Sequence, residues 1–156
     1  MASKTLTPQQ AREKIRRYCA YQERAHQEVR DKLYAFGLYR DDVDEILSEL
    51  ISENFLNEER FARAYAGGKF RMKKWGRIKI TEGLSARGVS SNCIRLALTE
   101  IDDADYRDTL QKLLEEKQST LQVNDRFVLR DRLSRYVIQK GYEPDLVWSV
   151  LREMLP

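Results

Sequence analysis

The stretch Val29–Leu50, VRDKLYAFGLYRDDVDEILSEL, decides the fold, because the chain writes its pattern twice more. Residues 80–101 read ITEGLSARGVSSNCIRLALTEI, and residues 133–154 read LSRYVIQKGYEPDLVWSVLREM. Aligned on Gly37, Gly88 and Gly141, which are spaced by 51 and 53 residues, the three copies hold apolar residues at seven shared offsets. Eight residues before the glycine stand Val29, Ile80 and Leu133, and four before it stand Leu33, Leu84 and Val137. Directly after it come Leu38, Val89 and Tyr142. The offsets 6, 9, 10 and 13 beyond it hold Val43, Ile46, Leu47 and Leu50 in the first copy and Ile94, Ala97, Leu98 and Ile101 in the second. In the third they hold Val147, Val150, Leu151 and Met154. At 42% hydrophobic composition, chance does not fill every such position three times over, so this is an internal repeat.

The offsets also give the local structure. Positions four and eight before the glycine share one helical face. Those after it follow the i, i+3, i+4, i+7 stripe of an amphipathic helix. The glycine ends the first helix in the left-handed conformation that costs it least. Asp41, Ser90 and Glu143 stand where the next helix begins, and Pro144 suits a first turn. Asn124 is placed to cap the helix that ends before Gly141. One more helix precedes each pair: 8–24 with Thr7 as cap, 58–74 with Asn57 as cap, and 103–120. The expected fold is therefore all-α, a tandem array of three three-helix (helix-turn-helix-like) repeats over 1–56, 57–102 and 103–156. A lone unit of this size has a thin core, so neighbours should stack as in a solenoid, giving an elongated and curved body.

Composition agrees. The 156 residues contain only three prolines and seven glycines, which favours helix over an all-β fold. No apolar run approaches the roughly 20 residues needed to span a bilayer. MASKTLTPQQ has no apolar segment of signal-peptide type, so a cytoplasmic protein with no membrane association is expected. Cys19 and Cys93 stand apart among apolar neighbours and read as small reduced thiols rather than a disulfide or a metal site.

No enzymatic constellation is present. His26 is the single histidine, and no zinc-protease, serine-elbow or phosphate-loop motif occurs. The acids are concentrated on helix surfaces, as in Asp41-Asp42-Val43-Asp44-Glu45, where a first turn favours them through the helix dipole. The expectation is a non-enzyme with no cofactor and no metal.

Charge is the informative feature. The net is +3, but residues 60–95 carry 10 basic side chains against one acid, Glu82. Residues 1–59 hold 9 basic and 12 acidic side chains, 96–122 hold 3 and 7, and 123–156 hold 6 and 5. The centre of the basic segment is Lys69-Phe70-Arg71-Met72-Lys73-Lys74-Trp75-Gly76-Arg77-Ile78-Lys79, across the junction of the first two helices of the second copy. Lys69, Arg71, Lys73, Lys74, Arg77 and Lys79 are the side-chain types that neutralise phosphates and release counterions. Trp75 either stacks on an unpaired base or closes the turn. Gly76 lets the backbone turn and approach a ligand. A face that only solubilises mixes signs; this one does not, so a polyanion or an acidic protein surface is expected. Arg126, Arg130, Arg132 and Arg135 in the third copy, with Asp125 and Asp131 among them, and Arg12, Lys14, Arg16 and Arg17 in the first helix, read either as a second contact or as residues that keep the surface soluble. Sequence-specific duplex reading is disfavoured. It needs a basic helix after the turn glycine, and Asp41–Glu53 is acidic.

Three segments carry a resemblance: Asn54-Phe55-Leu56-Asn57-Glu58-Glu59-Arg60-Phe61-Ala62-Arg63-Ala64-Tyr65, the basic turn Lys73–Lys79, and Leu84-Ser85-Ala86-Arg87-Gly88-Val89. With the three repeats and the length, they resemble the RecX family, regulatory proteins of the RecA recombinase. The resemblance covers about residue 10 to the C-terminus. It implies a cytoplasmic monomer without a cofactor that binds RecA and its filament on single-stranded DNA, and restrains ATPase, strand exchange and co-protease activity. Contact with duplex DNA would not be sequence-specific. Gly67-Gly68 departs from the family pattern, and each glycine inside a helix costs roughly 1 kcal/mol. With Gly83, the pair predicts a loosened middle unit and a mobile basic turn. Two other classes stay open: a stand-alone nucleic-acid-binding module, and a helical adaptor for proteins.

Overall fold

The computed structural model describes residues 5–156, and these form helices with no strand. The first unit is α1 (Pro8–Tyr21), α2 (His26–Ala35) and α3 (Arg40–Ser52). The second is α4 (Glu58–Lys73), α5 (Arg77–Ala86) and α6 (Ser91–Leu98). The third is α7 (Asp103–Thr120), α8 (Arg126–Gln139) and α9 (Pro144–Met154). The accessible surface, 9817 Å² for 18.4 kDa, exceeds the roughly 8,200 Å² of a compact monomer of that mass, as an elongated body requires.

The repeat positions are the core. Of the apolar residues at the seven offsets, all but Leu98 and Met154 are buried. Gly37, Gly88 and Gly141 follow the second helix of their units with φ of 89°, 77° and 103°, the left-handed turn the spacing predicted. Thr7 and Gln10 cap α1 reciprocally, and the Asn57 and Ser90 side chains accept the backbone N–H groups of Arg60 and Cys93.

Several local expectations change. α1 stops at Tyr21 rather than Arg24, and α3 begins at Arg40 with Tyr39 at its N-cap, leaving Asp41 and Asp42 in the first turn. Asp125, not Asn124, caps α8, accepting from Phe127 and Val128. α4 runs unbroken through Gly67–Gly68, because packing along α6 outweighs the propensity cost. The left-handed residue at its end is Lys74 (φ 56°), while Gly76 is extended.

The cores are not evenly stacked. The first unit keeps its own cluster, centred on Ile15, Leu33, Ile46 and Leu50. The second and third share one continuous cluster that includes Phe61, Leu84, Tyr106, Leu110 and Tyr142. Between α1 and α3, Arg12 binds Glu49 through both nitrogen arms (2.8 and 3.1 Å), and this hydrogen bonding holds the Glu49 carboxyl below its usual range. Arg63–Glu100, 51 residues on, repeats the pair between α4 and α6 (2.7 Å). Cys19 is buried and Cys93 half-buried; both are free thiols.

Candidate nucleic-acid interface

The basic segment ends α4, turns at Lys74-Trp75-Gly76 and opens α5. The third unit holds this turn. The Gly76 N–H donates to the Lys140 carbonyl (2.8 Å), and the Ile78 N–H donates to the Gly141 carbonyl (3.0 Å). The Tyr142 hydroxyl donates to the Lys74 carbonyl (2.9 Å). The Arg77 N–H donates to the Tyr106 hydroxyl (2.9 Å), which in turn donates to the Glu143 carboxylate. Burial first, and then the nearby Glu143 carboxylate, pushes both phenols well above their ordinary titration range. The turn expected to be mobile is thus pinned at four points. Gly76 allows close approach to the Gly141 backbone.

Pinning the turn sorts its cations into two groups. Arg77 is committed inward. Its guanidinium binds Asp103 (2.5 Å) and Glu143 (3.1 Å) and lies 3.9 Å above the Tyr106 ring. Lys69, Arg71, Lys73, Lys74 and Lys79 have no carboxylate partner among the described residues. Arg71, Lys73 and Lys74 are exposed. Lys69 and Lys79 place their ammonium groups 4.9 and 4.7 Å from the Trp75 ring. Trp75 is half-buried against the core, edge-on to Tyr65 at 6.5 Å. Its ring therefore closes the turn and orders two lysines.

Two members of this surface escaped the sequence reading. The Arg87 guanidinium sits 5.0 Å above Tyr65 and donates to the Gly83 carbonyl at 2.9 Å. Tyr65 in turn needs Gly83, since a Cβ there would collide with its hydroxyl. The 60–95 charge run contained Arg87, but its partner is a helix away. Arg126 and Arg130 of the third unit reach to the C-terminus: Arg126 donates to the Pro156 carbonyl and Arg130 to that of Leu155 (2.6 Å).

No group of three or more metal-ligand side chains gathers among the described residues, and no described helix is long and apolar enough to cross a membrane. His26 is partly buried at the start of α2, its Nε2 without a hydrogen-bond partner, and burial lowers its pKa.

Residues 57–98, the second unit, match the family model described as RecX, second three-helix domain. The regulatory protein RecX of Clostridium perfringens (strain 13 / Type A) is 34% identical over 133 residues, 84% of this chain and 62% of that protein. The RecX protein of Bacillus mycoides (strain KBAB4) is 25% identical over 137 residues, 88% of this chain and 51% of that protein. The chain thus spans about half to three-fifths of the length of these curated relatives. The crystal structure of RecX from Lactobacillus salivarius superposes with a TM-score of 0.86 at 22% identity, covering 94% of this chain and 95% of that one. Fold, repeat and sequence agree: the second unit matches the RecX second three-helix domain, and the chain is similar to RecX regulatory proteins over most of its length.

Proposed function

We propose that this chain regulates a RecA-type recombinase by binding its filament on single-stranded DNA and restraining its ATPase, strand exchange and co-protease activity. It would thereby act in DNA repair, homologous recombination and the SOS response, as a cytoplasmic monomer that is not an enzyme. In this reading the units divide at 56/57 and 102/103, and the second carries the main contact. The observation that supports it is the row of unpaired cations Lys69, Arg71, Lys73, Lys74 and Lys79 on a turn that the third unit holds rigid, in a chain whose second unit matches the RecX second three-helix domain. A fixed row of like charge, free of internal carboxylates, attracts phosphate or an acidic protein surface without first breaking an ion pair. The helices after the turn glycines remain poor in basic residues, which speaks against sequence-specific duplex reading.

The test is charge reversal at Lys73→Glu and Lys74→Glu, both exposed. Loss of inhibition of a RecA ATPase, with an unchanged helical circular-dichroism spectrum, supports the assignment; unaltered inhibition removes these residues from the contact. A second reading, a stand-alone module for single-stranded nucleic acid, draws on the cations already seated over Tyr65 and Trp75. It requires binding to bare strands no weaker than to filaments.

A further inference from the structure

The first unit carries net negative charge in sequence, yet one of its faces is wholly basic and aromatic. Lys14, Arg17, Tyr18 and Tyr21 fall at i, i+3, i+4 and i+7 of α1 and so form a single stripe. Beside them Arg24, Lys32 and Phe36 complete a shallow hollow of about 410 Å³, with no acid in its lining. Several acids of this unit are paired with cations outside this face. Arg12 holds Glu45 and Glu49, Arg16 holds Glu53, and Arg30 and Arg40 share Asp44. Glu13 borders a neighbouring hollow together with Leu6, Gln10, Lys14 and Arg17, and pairs with neither cation. None of Lys14, Arg17, Arg24 and Lys32 pairs with a carboxylate among the described residues.

The hollow has order as well as charge. The Arg24 guanidinium lies 3.7 Å above the Tyr18 ring and donates to the Tyr18 carbonyl at 3.0 Å. The Lys32 ammonium lies 5.5 Å from Tyr18 and 5.8 Å from Phe36. Tyr18 is thus committed to positioning cations, whereas Tyr21 at the rim is 83% exposed, with the Arg24 guanidinium 6.0 Å from its ring. A large aromatic ring held out in solvent beside four unpaired cations matches an unpaired base stacking on the ring while its flanking phosphates meet the cations. Carboxylates of an acidic peptide would satisfy the cations but leave the ring idle.

We infer that this face is a second nucleic-acid site, separate from the basic turn of the second unit, which takes single-stranded nucleic acid by stacking one base on Tyr21 and seating phosphates on Lys14, Arg17, Arg24 and Lys32. It does not depend on a recombinase, so its test is made without one. The full chain is titrated into a fluorescein-labelled oligothymidylate of about a dozen nucleotides, and into a fully abasic strand of the same length, and anisotropy is read. Tyr21→Ala weakens binding to the intact strand about tenfold, Tyr21→Phe retains it, and the abasic strand does not sense either change. The pair Arg17→Gln and Lys32→Gln lowers the slope of log affinity against log salt by about 1.4, roughly 0.7 for each phosphate left without its cation. Parent-like affinity and slope in all these variants overturn the assignment. So does displacement of the strand by polyglutamate at equal charge, which would make the face an acidic-protein site. Either failure leaves regulation of a recombinase through Lys73 and Lys74 untouched.

Discussion

Gly76 and Gly141 meet backbone to backbone across the junction of the second and third units. A Cβ on Gly76 would fall inside the van der Waals envelope of the Gly141 carbonyl, and one on Gly141 would lie 2.6 Å from the Lys79 nitrogen. The hydrogen bonds that fix the basic turn run through this contact. Gly76→Ala cannot be absorbed by a flexible side chain, because the obstacle is main chain. It is expected to destabilise the chain by about 2–4 kcal/mol in urea unfolding, at the upper end of overpacking effects. The first unit, with its own core, should keep its helices.

Gly68 predicts the opposite. It lies within α4, and a Cβ there meets nothing within 4 Å. Gly68→Ala should raise stability by about 0.5–1 kcal/mol through helix propensity alone, read in the same unfolding assay.

Arg77 separates folding from binding. Arg77→Ala leaves Glu143, 34% exposed, without its cation and removes the cover of the buried Tyr106 ring. The expected loss is about 1–3 kcal/mol of stability, with DNA or filament affinity falling only as the junction loosens. Lys73→Gln and Lys74→Gln should leave the unfolding midpoint in place. They should instead lower the salt dependence of binding by about 0.7 per lysine.

His26 makes stability depend on pH. Its pKa is lowered in the fold by burial, and its Nε2 has no partner. The folded state therefore binds the proton less readily than the unfolded chain. The stability His26 contributes is complete above the unfolded value of about 6.5 and is lost as pH falls through the lower folded value. Urea midpoints should drop between about pH 7.5 and about pH 5.5, a window in which no other side-chain type of this chain titrates from its ordinary value. His26→Gln should flatten that drop; an identical slope would place its origin elsewhere.

The repeat was legible because its determinants are local: apolar spacing within a helix and a left-handed glycine after it. Gly76 and Arg77 were not, because their partners lie 26 to 66 residues away in the third unit. From spacing alone, Arg77 is one more cation in a basic run. Only the fold turns it inward to Glu143. Net charge also misleads where signs are sorted by face. The 12 acids of residues 1–59 mask Lys14, Arg17, Arg24 and Lys32, although the stripe at Lys14, Arg17, Tyr18 and Tyr21 could be read from helical periodicity. Gly67–Gly68 looked like a break because propensity counts one helix at a time, and α4 is held by α6.

The most direct measurement is the single-stranded-DNA-dependent ATPase of a RecA recombinase while this chain is titrated in at fixed salt, with affinity for the bare strand measured alongside. Regulation at the filament predicts that ATPase falls at concentrations far below those that coat the DNA. No change, or a fall only as free DNA becomes saturated, would contradict it and leave a generic nucleic-acid binder.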